Sequence, residues 1–241
     1  MRLPLSALLL VLGPGASIAQ QPQRLSGSDV SPAVWGVLET PRTRGPHAGV
    51  IVLPGSAGWR PIYAQAARAF ADSGFVAVAI DYYAEAGRDT SREDALTKWP
   101  AWQAAVRNAV AYLETLPAVS HRPVGLVGYS RGAFLAVSVA ASVPAVSAVV
   151  DFFGGGGGGT DSLDKEVRRF PPLLILHGEA DTVVPVRQAY RLREAVLAHG
   201  GEVEMHLYPG AHHAFTAAYS EPAAIDSWRR TIDFLRRRLA Q

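Results

Sequence analysis

Pro-Val-Gly-Leu-Val-Gly-Tyr-Ser-Arg-Gly, residues 123–132, is an apolar run that leads into a serine held between two glycines. The apolar part is typical of a buried parallel strand, and residues 133–141, which lack Gly and Pro, predict a helix directly behind it. Gly128 and Gly132 omit side chains that would clash in a sharp turn around Ser130. Such a turn exposes the hydroxyl beside a helix N-terminus, which favours negative charge there. We therefore predict that Ser130 is a nucleophile, since an ordinary exposed serine would need neither the strand nor the helix.

The rest of the chain alternates between strand-like and helix-like runs, which indicates a largely parallel α/β sheet. Strands are predicted at 34–38, 49–53, 75–80, 124–127, 146–152, 173–176 and 203–207. Further helices are predicted at 61–73, 101–116, 186–198 and 222–239. Because several strands are apolar on both sides, we expect helices on both faces of the sheet. Six consecutive glycines, 154–159, are interpreted as a flexible connector, the alternative being a loop that leaves space beside the active site.

The composition indicates one globular domain of ordinary size. The 241 residues are 49% hydrophobic, and 23 basic against 21 acidic residues leave a net charge of +2, too small to indicate a nucleic-acid partner. Arginines near the C-terminus follow an amphipathic pattern, for which a solvated helix face is a simpler interpretation than a phosphate- or membrane-binding patch. The absence of cysteine excludes disulfides, thiolate metal ligands and a cysteine nucleophile.

Residues 1–19 predict a secretory signal peptide, which leaves residues 20–241 as a single catalytic domain. Arg2 supplies positive charge, residues 3–12 are mostly apolar, and small residues precede a cleavage point after Ala19. The apolar run is about half the length that a bilayer-spanning helix requires. We therefore expect a secreted or periplasmic protein without stable membrane insertion.

A serine becomes an effective nucleophile when an imidazole takes its proton and a carboxylate fixes the tautomer of that imidazole. Asp181 lies on the loop after the sixth predicted strand, and His212 and His213 lie on the loop after the seventh. The order Ser130, Asp181 and then a histidine, each on a loop after a strand, is the order of an α/β-hydrolase triad.

These motifs resemble those of the dienelactone hydrolase family within the α/β hydrolases. The likeness extends from about residue 34 to the C-terminus and is carried by residues 49–55, 81–83, 124–132, 177–181 and 208–215. The resemblance implies an α/β-hydrolase fold, with a mostly parallel central sheet and helices on both faces. Too few residues separate Phe153 from Phe170 for a large cap domain. The implied activity is carboxylic ester hydrolysis without a cofactor or metal.

The same resemblance assigns roles to individual residues. The family sets its base two residues before a phenylalanine, which selects His213 and leaves His212 as a neighbour in the pocket. Asp181 matches the position of the acid, while Glu179 on the same loop and Asp151 on another strand are the alternatives.

The backbone amides of two further residues are expected to hold the oxyanion, one directly after the nucleophile and one on the loop after an early strand. Arg131 supplies the first amide, and the resemblance implies Ser56 for the second, the alternative being that Ser56 is an ordinary turn residue. Five side chains are predicted to line the substrate pocket, with ordinary packing as the alternative for the aromatic ones: Tyr82, Tyr83, Arg88, His212 and Phe215. A zinc site of His206, His212 and His213 lacks a recognisable ligand spacing.

Two departures from the family pattern bear on the substrate. The family uses a cysteine where this chain has Ser130, and its two anion-binding arginines are replaced by Glu85 and Ala217. We therefore predict a serine hydrolase that cleaves small or medium esters or lactones through an acyl-enzyme, with a small-molecule ester as its partner. The alternatives are a peptidase or thioesterase on the same triad, or a non-catalytic binding protein with a hydrolase fold.

Overall fold

The computed structural model describes residues 21–25, 33–84, 95–157, 163, 167, 170–217 and 221–240. The predicted signal peptide, Arg88, and the last two residues of the glycine run lie outside the described residues.

The described residues form one sheet of eight strands and five α-helices. The strands are β1 (Gln23–Arg24), β2 (Trp35–Glu39), β3 (Gly49–Leu53), β4 (Val76–Ile80), β5 (Val124–Tyr129), β6 (Val146–Phe152), β7 (Leu173–Gly178) and β8 (Val203–Tyr208). The helices are α1 (Pro61–Asp72), α2 (Ala95–Thr115), α3 (Arg131–Ala140), α4 (Arg187–Ala198) and α5 (Pro222–Arg238).

The strand order places the loops that carry the predicted site residues at one edge of the sheet. The order is β1-β2-β4-β3-β5-β6-β7-β8. The six strands from β4 to β8 in this order run parallel, while β2 pairs antiparallel with β1 and with β4. Because the carboxyl ends of parallel strands meet at one edge, the loops after β3, β5, β6, β7 and β8 gather there.

Two apolar cores lie on opposite faces of the sheet. Leu126 of β5 faces the core that contains Trp102 of α2 and Leu135 of α3. Its neighbour Val127 faces the other core, which contains Phe70 of α1 and the apolar side of α5. The prediction of an α/β-hydrolase fold with helices on both faces is therefore confirmed.

Helix α2 begins six residues before the predicted start, and Pro100 lies inside it. A proline interrupts helical hydrogen bonding, so the sequence pattern upstream of Pro100 did not predict helix. Trp99 and Trp102 are both buried, and this burial outweighs the lost hydrogen bond. No helix in the described part of the chain is long and apolar enough to cross a lipid bilayer.

The first glycines of the glycine run pack tightly, which corrects the prediction of a flexible connector for this part. A Cβ on Gly154 would overlap the Cβ of Ala133, and one on Gly156 would overlap the side chain of Leu163. Gly154 and Gly155 are buried. These glycines let the loop after β6 pass close to α3, and the loop leaves no open space at that point.

Candidate active site

Ser130 occupies a sharp turn between β5 and α3. Its backbone has φ 52° and ψ −118°, an unusual conformation for a residue with a Cβ. The Ser130 N–H donates to Phe152 O over 2.9 Å, which fixes the turn to the end of β6. A Cβ on Gly132 would overlap the carbonyl oxygens of Leu53 and Pro54. The glycine is thus required by the close approach of the loop after β3.

His213 connects Ser130 to Asp181. Its Nε2 lies 3.0 Å from Ser130 Oγ, and its Nδ1 lies 2.7 Å from Asp181 Oδ2. A carboxylate oxygen can only accept, so the Nδ1–H donates to Asp181 and Nε2 is left to accept from the serine hydroxyl. The structure thus brings together the three side chains that the sequence singled out, in an arrangement able to pass a proton from Ser130 to His213.

The loop around Asp181 fixes the carboxylate. The side chain is fully buried, and its Oδ1 accepts from the backbone N–H groups of Val183 and Val184, each over 2.9 Å. One carboxylate oxygen is therefore held by the loop, and the other faces His213. Because both oxygens are engaged, the Asp181 carboxylate has little freedom to rotate, and its Oδ2 stays directed at the imidazole.

His177 lies next to the Asp181 carboxylate, although no role was predicted for it from the sequence. The side chain is buried, its Nε2–H donates to Val184 O over 2.8 Å, and the same nitrogen lies 3.5 Å from Asp181 Oδ2. Burial lowers the pKa of His177, which favours the neutral ring. A neutral His177 supports the loop without competing with His213 as the cation that Asp181 stabilises. The sequence feature that could have indicated this role is the position of His177 at the end of an apolar strand, two residues before Glu179.

Aromatic rings pack behind His213. The ring of Phe153, whose φ is 43°, lies 5.0 Å from the imidazole, and the ring of Phe215 lies 5.5 Å from that of Phe153. Phe215 also packs against Tyr208, with centroids 4.8 Å apart. The structure therefore places Phe215 where it supports the histidine loop, and its predicted lining of the pocket remains a prediction.

Tyr82 and Tyr83 are buried, which corrects the prediction that they line a pocket. They expose only 2% and 1% of their surface. The Tyr82 hydroxyl donates to Pro54 O over 2.8 Å, and the Tyr83 hydroxyl lies 3.2 Å from Gly55 O and 2.7 Å from the Tyr82 oxygen. Both side chains therefore hold the loop after β3.

The two predicted oxyanion donors belong to segments next to Ser130. Ser56 follows Gly55, and the point that a Cβ on Gly55 would occupy is 3.5 Å from the Ser130 Cβ. Arg131 is the first residue of α3, where backbone N–H groups point out of the helix end. The guanidinium of Arg131 lies over the ring of Trp102, 5.4 Å from its centroid.

The alternative site residues have other partners. His212 is exposed, and its Nδ1 lies 3.1 Å from Ala180 O, so it bonds to the acid loop; that it also lines the pocket remains a prediction. Glu179 is exposed. Asp151 is fully buried, and its Oδ1 accepts from Gly154 N over 2.8 Å. Burial raises the pKa of Asp151 to about 7.

No group of three or more histidine, cysteine or acidic side chains is placed to hold a metal ion within the described ranges. The three histidines considered for a zinc site are therefore not gathered into one. His206 instead packs against Tyr208, with ring centroids 4.7 Å apart, and lies 3.6 Å from Asp226.

Comparison with known proteins gives a family and a set of structural neighbours. The model of the dienelactone hydrolase family matches residues 34–239. A carboxymethylenebutenolidase of Rhodococcus opacus is 27% identical, and the match covers 93% of each chain. A dienelactone hydrolase-like promiscuous phosphotriesterase from metagenomic libraries is 20% identical with a TM-score of 0.73, over 91% of this chain and 97% of that one. A thermophilic esterase of Thermogutta terrifontis is 19% identical with a TM-score of 0.66, over 92% and 95%. The similarity of this chain to the two solved structures is a similarity of fold.

Proposed function

The chain belongs to the dienelactone hydrolase family and is a carboxylic ester hydrolase, and from this premise we propose that it works through an acyl-enzyme on Ser130. The observation that carries the proposal is the continuous chain of contacts from Ser130 Oγ to His213 and on to Asp181. A serine, an imidazole and a carboxylate in this sequence are what nucleophilic acyl transfer requires.

In the first half of the reaction, Ser130 Oγ attacks the carbonyl carbon of the ester while His213 Nε2 takes the hydroxyl proton. The electron pair of the carbonyl bond moves to oxygen, and the resulting charge is held by the backbone N–H groups of Ser56 and Arg131. The imidazolium is stabilised by Asp181 through the bond from Nδ1. His213 then gives its proton to the alcohol as the carbon–oxygen bond breaks, which leaves an acyl group on Ser130.

In the second half, a water molecule takes the place of the alcohol. His213 accepts a proton from this water as its oxygen attacks the acyl carbon, and then returns the proton to Ser130 Oγ as the acid departs. The same three side chains serve both halves, and the enzyme ends in its starting state.

The proposed substrates are small or medium esters or lactones without a charged acid group. Glu85 and Ala217 stand where the family carries two anion-binding arginines, and Glu85 would repel a carboxylate. The proposed location is the periplasm or the medium, after removal of residues 1–19.

The test is hydrolysis of p-nitrophenyl acetate and butyrate by the purified mature protein and by the Ser130→Ala variant. We expect the variant to lose turnover by a factor on the order of 10⁴ or more, with an unchanged melting temperature. Ester hydrolysis at the wild-type rate in the folded variant would refute the proposed mechanism. An active ester assay beside inactive peptide and thioester assays would separate this function from its rivals.

A further inference from the structure

Tyr63 stands next to the proposed nucleophile, although nothing in the sequence pattern drew attention to it. It lies in the first turn of α1, and its half-buried ring packs 5.8 Å from that of Tyr129. The hydroxyl oxygen of Tyr63 and the Cβ of Ser130 are each 3.5 Å from the point that a Cβ on Gly55 would occupy. The space left by the absent side chain of Gly55 is therefore bordered by the phenol oxygen of Tyr63, by the Ser130 Cβ and, at 3.3 Å, by Tyr129 O.

The Tyr63 hydroxyl accepts a hydrogen bond but donates none to the described residues. A phenol offers one donor and can also accept. The Gly55 N–H donates to the Tyr63 oxygen over 2.9 Å, which occupies an acceptor position. Among the described residues, no acceptor is found for the hydroxyl proton of Tyr63. Tyr82 differs, because its proton is already donated to Pro54 O.

The environment of Tyr63 keeps that proton in place. Burial raises the pKa of the phenol, and the effect outweighs the opposing influences of the Gly55 N–H and of Arg60. The hydroxyl therefore stays neutral and able to donate at the pH values at which esterases are assayed. A neutral donor that is already oriented needs no reorganisation when charge develops beside it.

The bond from Gly55 also affects which backbone group can serve the substrate. Because the Gly55 N–H is directed at Tyr63, it is engaged within the protein. The next N–H along the loop, that of Ser56, is the one proposed for the oxyanion. Tyr63 is thus joined by a hydrogen bond to Gly55, the residue directly before a proposed donor.

We infer that Tyr63 is a further catalytic residue, whose hydroxyl donates a hydrogen bond to the substrate carbonyl oxygen as that oxygen becomes negative. The phenol would act as a third donor beside the amides of Ser56 and Arg131. It keeps its proton throughout, so the proton transfers between Ser130, His213 and the substrate are unchanged. The inference rests on the proposed function and adds a residue to it.

The competing interpretation is that Tyr63 only holds Gly55 in place. Two variants distinguish this structural role from a catalytic role. Tyr63→Phe keeps the ring and removes the hydroxyl. Tyr82→Phe is the matched control, because it removes a hydroxyl that holds the same loop through Pro54 and that points into the protein. Melting temperatures of both variants establish that they fold.

The experiment compares p-nitrophenyl acetate with its thiono analogue, in which sulfur replaces the carbonyl oxygen and accepts hydrogen bonds weakly. For Tyr63→Phe we expect kcat/KM on the oxygen ester to fall by about tenfold or more, with a much smaller fall on the thiono ester. For Tyr82→Phe, any loss should be similar for both substrates.

The inference would be overturned if Tyr63→Phe matched the wild type on the oxygen ester, or if it lost the same factor on both substrates. A parallel assay of Ser130→Ala distinguishes failure of the proposed function from failure of the role inferred for Tyr63. Turnover that does not depend on Ser130 would refute the proposed function and this inference together. Turnover that depends on Ser130 but not on Tyr63 would refute the inference alone.

Discussion

Ser130 holds a backbone conformation that costs an ordinary residue on the order of 1–3 kcal/mol. Three hydrogen bonds surround the turn: Ser130 N–H donates to Phe152 O over 2.9 Å, and Ser130 O accepts from Ala133 N and Phe134 N over 2.8 and 3.2 Å. The start of α3 and the end of β6 therefore impose the strained geometry. As a result, Ser130 Oγ lies within hydrogen-bonding distance of His213 Nε2, at 3.0 Å.

Substitution of the acid separates Asp181 from its rival on the same loop. Asp181→Asn places an amide where the carboxylate accepts from His213, so the imidazole loses the partner that fixes its tautomer and supports its charge. We expect kcat on p-nitrophenyl butyrate to fall by a factor on the order of 10³–10⁴. Glu179→Gln is the matched control, and its kcat should stay within about twofold because the side chain is exposed. A reversed pair of results would assign the acid to Glu179.

The adjacent histidines offer an equally direct comparison. His213→Ala removes the only imidazole in contact with Ser130 Oγ among the described residues, and we expect a loss of kcat on the order of 10³ or more. His212→Ala removes one bond to Ala180 O at an exposed position and should cost about threefold or less. Both are measured on p-nitrophenyl butyrate. Larger losses in His212→Ala than in His213→Ala would contradict the assignment of the base.

Among the secondary-structure elements, the turn between β5 and α3 requires a glycine at position 132, because the backbone of the loop after β3 lies too close for a side chain. Gly132→Ala would drive a Cβ into the carbonyl oxygens of Leu53 and Pro54, which belong to the backbone and cannot swing aside. We expect a loss of about 3 kcal/mol or more in the free energy of unfolding, together with loss of activity. Chemical denaturation of the variant gives this value.

Gly200→Ala provides the comparison for that prediction. Gly200 has φ 75°, and nothing lies within 4 Å of the Cβ that would be added. Its cost should be limited to about 1 kcal/mol of backbone strain, with activity preserved. Equal destabilisation by the two substitutions would mean that the close approach at Gly132 does not limit the fold.

The elements that could be predicted from sequence are those with a strong apolar pattern. Strands β3 and β6 have the predicted bounds, and α1 differs from its prediction by one residue. Strand β1 was missed because it has two polar, exposed residues and is defined only by its pairing with β2. The grouping of Ser130 with a histidine and an acid could be predicted because each lies on a loop directly after a strand, while the family resemblance selected His213 over His212 and Asp181 over Glu179. Tyr63 was missed, and Tyr82 and Tyr83 were assigned to a pocket instead of to the loop after β3, because all three hydroxyls reach this loop from other elements and no local motif encodes such contacts.

At the scale of the whole molecule, Asp151 links stability to pH. Burial raises its pKa in the folded state to about 7, well above the ordinary value of 3.8. Between these values the unfolded chain releases the proton and the folded chain keeps it, so stability falls as the pH rises from about 4 to about 7. The stabilising contribution is complete at lower pH and lost above neutrality.

Asp151→Asn should remove this dependence while its side-chain oxygen still accepts from Gly154 N–H. Between pH 5 and pH 8, we expect the wild type to lose about 3 kcal/mol of unfolding free energy relative to the variant, at roughly 1.4 kcal/mol per pH unit between pH 5 and the folded pKa. Urea denaturation at the two pH values measures the difference. A difference that stays constant with pH would show that Asp151 does not titrate in this range.

The fold as a whole is proposed to present Ser130 as an activated nucleophile, and covalent labelling reports on this activation without a substrate. A fluorophosphonate probe reacts with a serine that an adjacent imidazole activates, and mass spectrometry of the digested protein identifies the modified peptide. We predict a single adduct on the peptide that contains Ser130, no adduct in Ser130→Ala, and much slower labelling in His213→Ala. An adduct on another residue, or active ester hydrolysis by a protein whose Ser130 stays unmodified, would contradict the account.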